Sequence, residues 1–247
     1  MALLAIIPAR LASTRLPRKL LLDLGGKTVL QHTWEGVREV LSRDQILIAT
    51  DSVEIAKNAK RFGAQIYMTG SHECGTDRIA EVAASRGKEN DVIINIQADE
   101  VALRYNELET IVSTMEEFPL ADMATLATPI QDSQQFQNPS CVKVVISSAR
   151  QALYFSRSPI PHLNDSHRTF PSPVAFLHIG LYAFRQPFLQ KFANSPRTIL
   201  EKQERLEQIR ALDLGADIRV GIVQKHIKGI DTQDDYDRLK RIIVGTN

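Results

Sequence analysis

Short apolar runs rich in isoleucine and valine alternate with longer amphipathic stretches, and this alternation constrains the fold of the 247-residue chain more than any other feature. It is typical of buried strands joined by crossover helices over a mostly parallel sheet. The first half predicts strands at residues 3–8, 45–50, 64–68 and 91–97, separated by helices at residues 28–41, 53–62 and 76–86. Three right-handed βαβ units result, so we expect an α/β fold with a sheet flanked by helices.

The second half of the chain is less regular. It predicts strands at residues 123–129, 142–146, 152–156, 176–184 and 218–222, with helices at 186–193, 199–214 and 233–243. Residues 147–150 have the composition of a hairpin turn, which indicates an antiparallel section. Residues 164–173 contain two prolines among polar residues and are expected to form a mobile loop. The spacing of Thr232 and Asp235 predicts a capping box at the last helix.

Charge and cysteine content exclude several classes of protein. Thirty basic and 29 acidic residues give a net charge of +1, which provides no general attraction to nucleic acid or anionic membranes. The apolar amino terminus stops at Pro8, too early for a membrane span. Cys74 and Cys141 have no metal-ligand spacing and suit a reducing compartment. We therefore expect a cytoplasmic protein with no membrane span and no nucleic-acid partner.

The loop after the first predicted strand concentrates positive charge. Four cations fall within ten residues, namely Arg10, Arg15, Arg18 and Lys19. Ligands of open α/β sheets gather beyond the carboxyl ends of strands, where this loop lies. On charge alone, two interpretations of this loop stay open: a triphosphate site or a solvated basic loop. The GxxxxGK[ST] and GxGxxG patterns of other nucleotide-binding loops are absent from the sequence.

Asp99 follows the predicted strand at residues 91–97 and should emerge at the same sheet edge as the basic loop. Magnesium takes one or two protein carboxylates and keeps several waters, so a site with few acidic residues suffices. Asp231 is the second candidate ligand. Taken alone, either aspartate is more often a turn residue or a helix cap.

The run IPARLASTRLPRK resembles the amino-terminal signature of sugar-activating nucleotidyltransferases. Its fit is closest to the cytidylyltransferases that activate 3-deoxy-manno-octulosonate (Kdo). Further matches follow in order at residues 68–78, 95–100, 152–161, 178–182, 206–210 and 229–232. The resemblance implies a Rossmann-like fold of the nucleotide-diphospho-sugar transferase type, with an antiparallel subdomain. It also implies a single domain with a nucleotide-binding half at residues 1–120, a sugar-binding and dimerisation half at 121–225, and a metal-aspartate segment and helix at 226–247.

The resemblance implies that a hydroxyl of Kdo attacks the α-phosphorus of CTP, with Mg²⁺ as the cofactor and a homodimer formed through residues 123–156. It assigns catalytic roles to Arg10, Lys19 and Asp99, and magnesium ligation to Asp99 and Asp231. The implied nucleotide-binding residues are Ala9, Arg10, Arg15, Lys19, Thr69, Gly75, Arg78 and Gln97. The implied sugar-binding residues are Arg157, which would hold the carboxylate, and His178, Tyr182, Glu207 and Gln208.

Several positions depart from the family pattern. Ala98 and Arg18 replace glycine-like positions, Val101 replaces a proline, and Cys74 replaces a serine. These departures leave the identity of the sugar open between Kdo and its 8-amino analogue. An acidic residue such as Glu100 or Glu207 could favour the amino analogue. Two other interpretations stay open. The protein could be a nucleotidyltransferase for a sialic-acid-like sugar or a sugar phosphate, or a nucleotide-binding module without catalytic activity.

Overall fold

The structure of the protein, a computed structural model, describes residues 2–13, 15–103, 105–164 and 169–245. Thr14 of the basic loop and residues 165–168 of the predicted mobile loop lie outside the described residues. The chain divides into two compact units, Met1–Leu108 with Ile227–Asn247, and Glu109–His226. That the two units act as a single domain stays a prediction. None of the helices in the described ranges is long and apolar enough to cross a membrane.

The first unit contains a parallel sheet with the strand order β3-β2-β1-β4. Its strands are β1 (Ala2–Pro8), β2 (Ile46–Thr50), β3 (Gln65–Met68) and β4 (Asp91–Asn95). Its helices include α1 (Val29–Arg38), α2 (Val53–Arg61), α3 (Gly75–Arg86) and α9 (Gln233–Val244), with 3-10 turns at Lys19–Leu21 and Arg43–Gln45. These elements confirm the predicted strand–helix alternation.

Buried strands and capped helices explain why this half follows its sequence pattern. β2 and β4 are buried along their whole length, as continuous apolar runs in a parallel sheet require. Thr28 and Ser52 cap α1 and α2 by accepting backbone N–H bonds, which fixes where each helix begins. β4 ends at Asn95, two residues earlier than predicted, so Gln97 and Asp99 lie on the loop that follows it.

The second unit is built on mixed pairing. Its strands are β5 (Met123–Pro129), β6 (Lys143–Ile146), β7 (Ala152–Ser156), β8 (Phe176–Arg185) and β9 (Ile218–Ile222). β5 pairs antiparallel with β8 and parallel with β9, while β6 pairs antiparallel with β7 and β8. The backbone N–H of Ser147 donates to the carbonyl of Gln151 at 2.9 Å, which closes the β6–β7 hairpin. The predicted antiparallel section is therefore confirmed.

The helices of the second half differ from the prediction at three places. α6 (Gln186–Ala193) is confirmed, whereas α4 (Tyr105–Glu117) and α5 (Ser133–Gln137) were not predicted. The predicted helix at 199–214 is wrong as a single element. It divides into α7 (Ile199–Glu204) and α8 (Gln208–Asp213) because Arg205 adopts a left-handed backbone with φ of 55°.

A buried ion pair holds α7 and α8 in this broken arrangement. Arg210 places Nη2 3.1 Å from Glu201 Oε1 and Nε 3.0 Å from Glu201 Oε2, with both side chains almost fully buried. Its guanidinium also lies 4.2 Å from the ring centroid of Phe192. Burying this pair requires the chain to turn back at Arg205, and helical periodicity alone does not reveal that requirement.

Candidate active site

A cavity of about 240 Å³ in the first unit gathers residues from separate parts of the sequence. Six predicted site residues line it: Arg10, Arg15, Lys19, Gln97, Asp99 and Asp231. A second cavity of about 230 Å³ shares Pro8, Arg10 and Gln97 with the first and is also lined by Gly75 and Arg78. The structure therefore brings the cations of the opening loop and the two predicted metal aspartates into one cavity, as the sequence predicted.

The two aspartates converge on the ammonium group of Lys19. Nζ of Lys19 is bonded to Oδ2 of Asp99, donates to the carbonyl of Ile230 at 2.6 Å, and lies 3.5 Å from Oδ1 of Asp231. The Lys19 side chain is only 11% exposed. Two carboxylates and a carbonyl oxygen thus surround a single positive charge.

The segment from Gly229 to Asp231 is held directly against Asp99. The backbone N–H of Ile230 donates to the carbonyl of Asp99 at 3.1 Å. A Cβ atom on Gly229 would lie 2.6 Å from that same carbonyl oxygen, so only glycine permits this approach. Thr232 then caps α9 in the predicted capping box with Asp235. The helix start and the glycine together place Asp231 beside Asp99.

The arginines of the opening loop have different partners. Nη2 of Arg15 donates to Oδ1 of Asp231 at 2.9 Å, while Arg10 is exposed and lines both cavities. The guanidinium of Arg18 binds the carboxylate of Glu54 on α2 and does not line either cavity. Positive charge near the aspartates therefore comes from the opening loop, through Arg10, Arg15 and Lys19, and from Lys228, whose Nζ lies 3.7 Å from Oδ2 of Asp231.

Arg78 holds the segment at residues 68–78, which matches the family's nucleotide-clamping loop, in place. Its guanidinium is buried, pairs with Oδ2 of Asp51 at 3.0 Å, and bonds the hydroxyl of Thr69 and the carbonyl of Gly70, the latter at 3.3 Å. Its role in nucleotide binding stays a prediction. The sequence analysis missed Asp51, although Asp51 directly follows β2, the same strand-end signal that identified Asp99.

Ala9, Thr69 and Gln97, three of the predicted nucleotide-binding residues, are the candidates for contact with the base. The amide of Ala9 donates to the carbonyl of Ala49 at 2.8 Å, and the amide of Thr69 donates to the carbonyl of Thr50 at 3.0 Å. Their carbonyl oxygens and the side-chain amide of Gln97 are the groups suited to the N4 amine and the O2–N3 edge of cytosine. These roles stay predictions.

Three predicted sugar-binding residues lie together in the second unit. The hydroxyl of Tyr182 donates to Oε1 of Gln208 at 3.2 Å, and the rings of His178 and Tyr182 have centroids 5.6 Å apart. Residues four apart on a regular strand would be about 13 Å apart. Here Thr125 pairs with Tyr182 and Leu126 with Ile179, so a bulge in β8 brings the two rings together.

Arg157, the predicted carboxylate ligand, is fixed by main-chain carbonyls. Its Nε donates to the carbonyl of Glu204 at 2.9 Å and its Nη1 to the carbonyl of Pro139 at 3.0 Å. The buried ammonium of Lys143 donates to the carbonyl of Arg157 itself at 2.6 Å. Glu207 lies at the start of α8, next to Gln208. The sugar-binding roles of Arg157 and Glu207 stay predictions.

The carboxylate pair fits a divalent cation with oxygen ligands. Within the described residues, no group of three or more His, Cys, Asp or Glu side chains is arranged to hold a metal ion. Magnesium needs only one or two protein carboxylates because water and phosphate oxygens complete its shell. Asp99 and Asp231 already converge on one cationic group, so their arrangement is compatible with such an ion.

Comparison with known proteins places the chain among its relatives. A family model described as cytidylyltransferase matches residues 4–218. Two proteins named 3-deoxy-manno-octulosonate cytidylyltransferase are each 40% identical to this chain. The one from Rhodopirellula baltica covers 96% of both chains, and the one from Syntrophotalea carbinolica covers 99% of this chain and 100% of its own. The chain belongs to this cytidylyltransferase family.

A solved structure of the same kind supports the fold. The structure of CMP:2-keto-3-deoxy-manno-octonic acid synthetase complexed with CTP matches this cytidylyltransferase with a TM-score of 0.91 and 34% identity, over 98% of each chain. The resemblance drawn from the motif series is therefore confirmed at the level of family and fold.

One departure of this cytidylyltransferase places a side chain on a left-handed backbone. Arg18 occupies a glycine-like position of the family signature and adopts φ of 55° and ψ of 27°, in the left-handed region. Glycine adopts this conformation without the steric cost that a side chain adds. The ion pair between Arg18 and Glu54 holds the side chain against α2, outside the two cavities.

Cys74→Ser is expected to stabilise the cytidylyltransferase by about 0.5–1 kcal/mol. Cys74 is the N-cap of α3, and its Sγ accepts from the backbone N–H of Asp77 at 3.4 Å. Sulfur is a weak acceptor, whereas serine is among the preferred N-cap residues. Urea unfolding midpoints measure the change, with Cys141→Ser as the matched control, since Cys141 caps no helix. A lower midpoint for Cys74→Ser would contradict the capping role.

Proposed function

We propose that this cytidylyltransferase transfers CMP from CTP to Kdo, releasing diphosphate and supplying CMP-Kdo for lipopolysaccharide biosynthesis. The observation that carries the proposal is the single cavity in which Arg10, Arg15 and Lys19 meet Asp99 and Asp231. Phosphates need the cations, and a divalent ion needs the carboxylates. The names of the relatives and the CTP in the similar solved structure support the choice of both substrates.

The cations of the opening loop would bind the triphosphate and stabilise the departing diphosphate. In the proposed reaction, a hydroxyl oxygen of Kdo bonds to the α-phosphorus while the bond to the bridging oxygen of diphosphate breaks. Lys19 provides a mobile point charge, whereas Arg10 and Arg15 provide planar guanidinium groups that can each bond two phosphate oxygens at once. We expect the ammonium group of Lys19 to leave the carboxylates and bind phosphate oxygens when the nucleotide binds, because both sets of anions compete for it.

Asp99 and Asp231 would hold Mg²⁺ in this proposal. When bound, the ion lowers the pKa of the attacking hydroxyl and offsets negative charge on the phosphate. The chain's own part is to keep the two carboxylates adjacent. It does so through the contact of Gly229 and Ile230 with the carbonyl of Asp99, and through the hydrogen bond of Thr33 Oγ1 to the carbonyl of Ala98 at 3.0 Å.

The acceptor is proposed to be Kdo or its 8-amino analogue. Arg157 would face the sugar carboxylate, while His178, Tyr182 and Gln208 would contact hydroxyl groups. An ammonium on the sugar would be favoured by a nearby carboxylate, for which Glu100 and Glu207 are the candidates. The family assignment does not separate these two acceptors, so both belong in the test.

Diphosphate release from each of the four nucleoside triphosphates, with and without each acceptor, tests the proposal. We expect release only with CTP together with Kdo or 8-amino-Kdo, and we expect EDTA to abolish it and added Mg²⁺ to restore it. Equal release with UTP or ATP would contradict cytidine specificity. Turnover with a sialic-acid-like sugar or a sugar phosphate instead would support a different nucleotidyltransferase. No release under any condition would support a nucleotide-binding module.

Two further proposals concern the assembly of the protein, which the family resemblance suggests, and its location. We propose a homodimer that forms through residues 123–156, which contain the β6–β7 hairpin. We also propose that the protein acts in the cytoplasm, where CTP is available and where its cysteines, which form no disulfide, remain reduced.

A further inference from the structure

The side-chain hydroxyl of Thr125 is buried in the second unit among three hydrogen-bonding neighbours. Thr125 on β5 is fully buried, and its Oγ1 lies 2.9 Å from Nε2 of His178. The same oxygen lies 2.9 Å from the carbonyl of Leu181 and 3.1 Å from the carbonyl of Ile179. These carbonyls flank the bulge in β8. Thr125 therefore links the bulge to the His178 ring.

The proton of this hydroxyl can satisfy only one of the three neighbours. Carbonyl oxygens only accept hydrogen bonds, so a carbonyl of Ile179 or Leu181 must be the acceptor for Thr125. If Thr125 instead donated to His178, its oxygen lone pairs would face both carbonyls without a proton between them. The arrangement is satisfied when Thr125 donates to a carbonyl and accepts from a protonated Nε2.

We propose that Thr125 is a positioning residue that fixes His178 in the Nε2–H tautomer, so that its Nδ1 accepts a hydrogen bond from a hydroxyl group of the sugar. This inference deepens the proposed function and rests on it for the identity of the ligand. The orientation of the hydrogen bonds rests on the distances around Thr125 alone.

The charge state of His178 supports an acceptor role. Burial, with a contribution from His226, lowers the pKa of His178 from 6.5 to about 3. The ring is therefore neutral near pH 7, and a neutral ring with one N–H leaves one acceptor nitrogen. An acceptor nitrogen cannot bond a carboxylate, which also only accepts. The carboxylate of the sugar must bind elsewhere, in keeping with the role proposed for Arg157.

A buried donor lies in the same cluster. Tyr182, whose ring packs against His178, donates to Oε1 of Gln208, and Nε2 of Gln208 is buried without a partner among the described residues. An amide N–H without a partner favours a ligand group that accepts. A hydroxyl can accept from the amide and donate to His178, whereas an ammonium only donates and a carboxylate only accepts. A neutral hydroxyl is therefore the ligand group whose hydrogen-bonding capacity suits both side chains.

Nitrogen NMR of protein labelled with ¹⁵N-histidine tests the tautomer directly. In the wild-type protein we expect the His178 signals of a neutral ring protonated at Nε2, and we expect Kdo to shift the Nδ1 signal. Thr125→Val removes the hydroxyl at nearly constant volume, while Thr125→Ser retains it. We expect the valine variant to lose the single tautomer and to raise KM for Kdo about tenfold with KM for CTP unchanged, and the serine variant to restore both.

Each outcome decides a separate part of the inference. A wild-type ring protonated at Nδ1, or doubly protonated near pH 7, would overturn the inference whatever the enzyme does in an assay. A valine variant with an unchanged tautomer and unchanged KM for Kdo would overturn the role of Thr125. Because the wild-type spectrum needs neither turnover nor a variant, it remains decisive if Thr125→Val does not fold. Failure of the proposed function would instead appear as absent diphosphate release beside the expected tautomer.

Discussion

Asp99→Asn is expected to lower kcat by about a thousandfold or more while leaving the protein folded. A bound divalent ion supplies several kcal/mol of charge stabilisation, and losing about 4 kcal/mol of it corresponds to a factor of about 10³ in rate. Asparagine preserves the shape of the side chain but removes one of the two negative charges that converge on Lys19. The loss should therefore fall on chemistry.

The fold should tolerate this substitution because the contacts that place Asp99 are made by its backbone. Its carbonyl accepts from Ile230, and this bond does not depend on the carboxylate. Lys19 keeps the carbonyl of Ile230 and the carboxylate of Asp231 as partners. The pair of Lys19 and Asp99 is largely buried, but Lys19 keeps two oxygen partners, so we expect a loss of about 1–3 kcal/mol and a fall in the melting temperature of about 2–12 °C.

Steady-state kinetics with CTP and Kdo, together with a thermal melt, measure both parts of this prediction. Asp234→Asn is the matched control, because Asp234 is an exposed carboxylate in the first turn of α9, three residues from Asp231. The control should retain the wild-type kcat. Asp99→Asn with near-normal turnover would exclude Asp99 as a metal ligand, and a collapsed melting temperature would show that Asp99 is chiefly structural.

The parallel half of the fold could be predicted because each element carries its own local signal. β2 is a short, continuous apolar run, and α2 begins at a serine cap, so neither depends on distant residues for its recognition. The same logic brought Asp99 and the opening loop to one sheet edge. Strand ends in a parallel sheet converge whatever the details of packing.

The features that escaped prediction depend on contacts between distant residues. The break at Arg205 follows from the buried pair of Glu201 and Arg210, and the bulge beside Thr125 depends on the β5–β8 register. α4 is different, since Leu108, Ile111 and Met115 are buried with helical spacing and could have been recognised. In the site, Gly229 lay in a recognised segment, but its closeness to Asp99 is visible only in three dimensions.

Gly229→Ala is expected to lower kcat/KM about a hundredfold and to destabilise the protein by about 1–3 kcal/mol. The new Cβ would lie 2.6 Å from the carbonyl oxygen of Asp99 and 3.1 Å from both its carbonyl carbon and Cδ of Glu100. Two of these neighbours are backbone atoms, so no side-chain rotation relieves the overlap. The segment must move, which weakens the Ile230–Asp99 hydrogen bond and separates the two carboxylates.

Denaturant unfolding and kinetics on the same preparation separate the two effects of Gly229→Ala. Gly180→Ala is the control for stability, since a Cβ there meets nothing within 4 Å, and its free energy of unfolding should change by less than about 0.5 kcal/mol. Gly229→Ala differs from Asp99→Asn because it keeps both carboxylates and changes only their separation. Wild-type kcat/KM in Gly229→Ala, beside a reduced free energy of unfolding, would mean that the segment moves without disturbing the reaction. The rate would then depend on the charge of Asp99 but not on its closeness to Asp231.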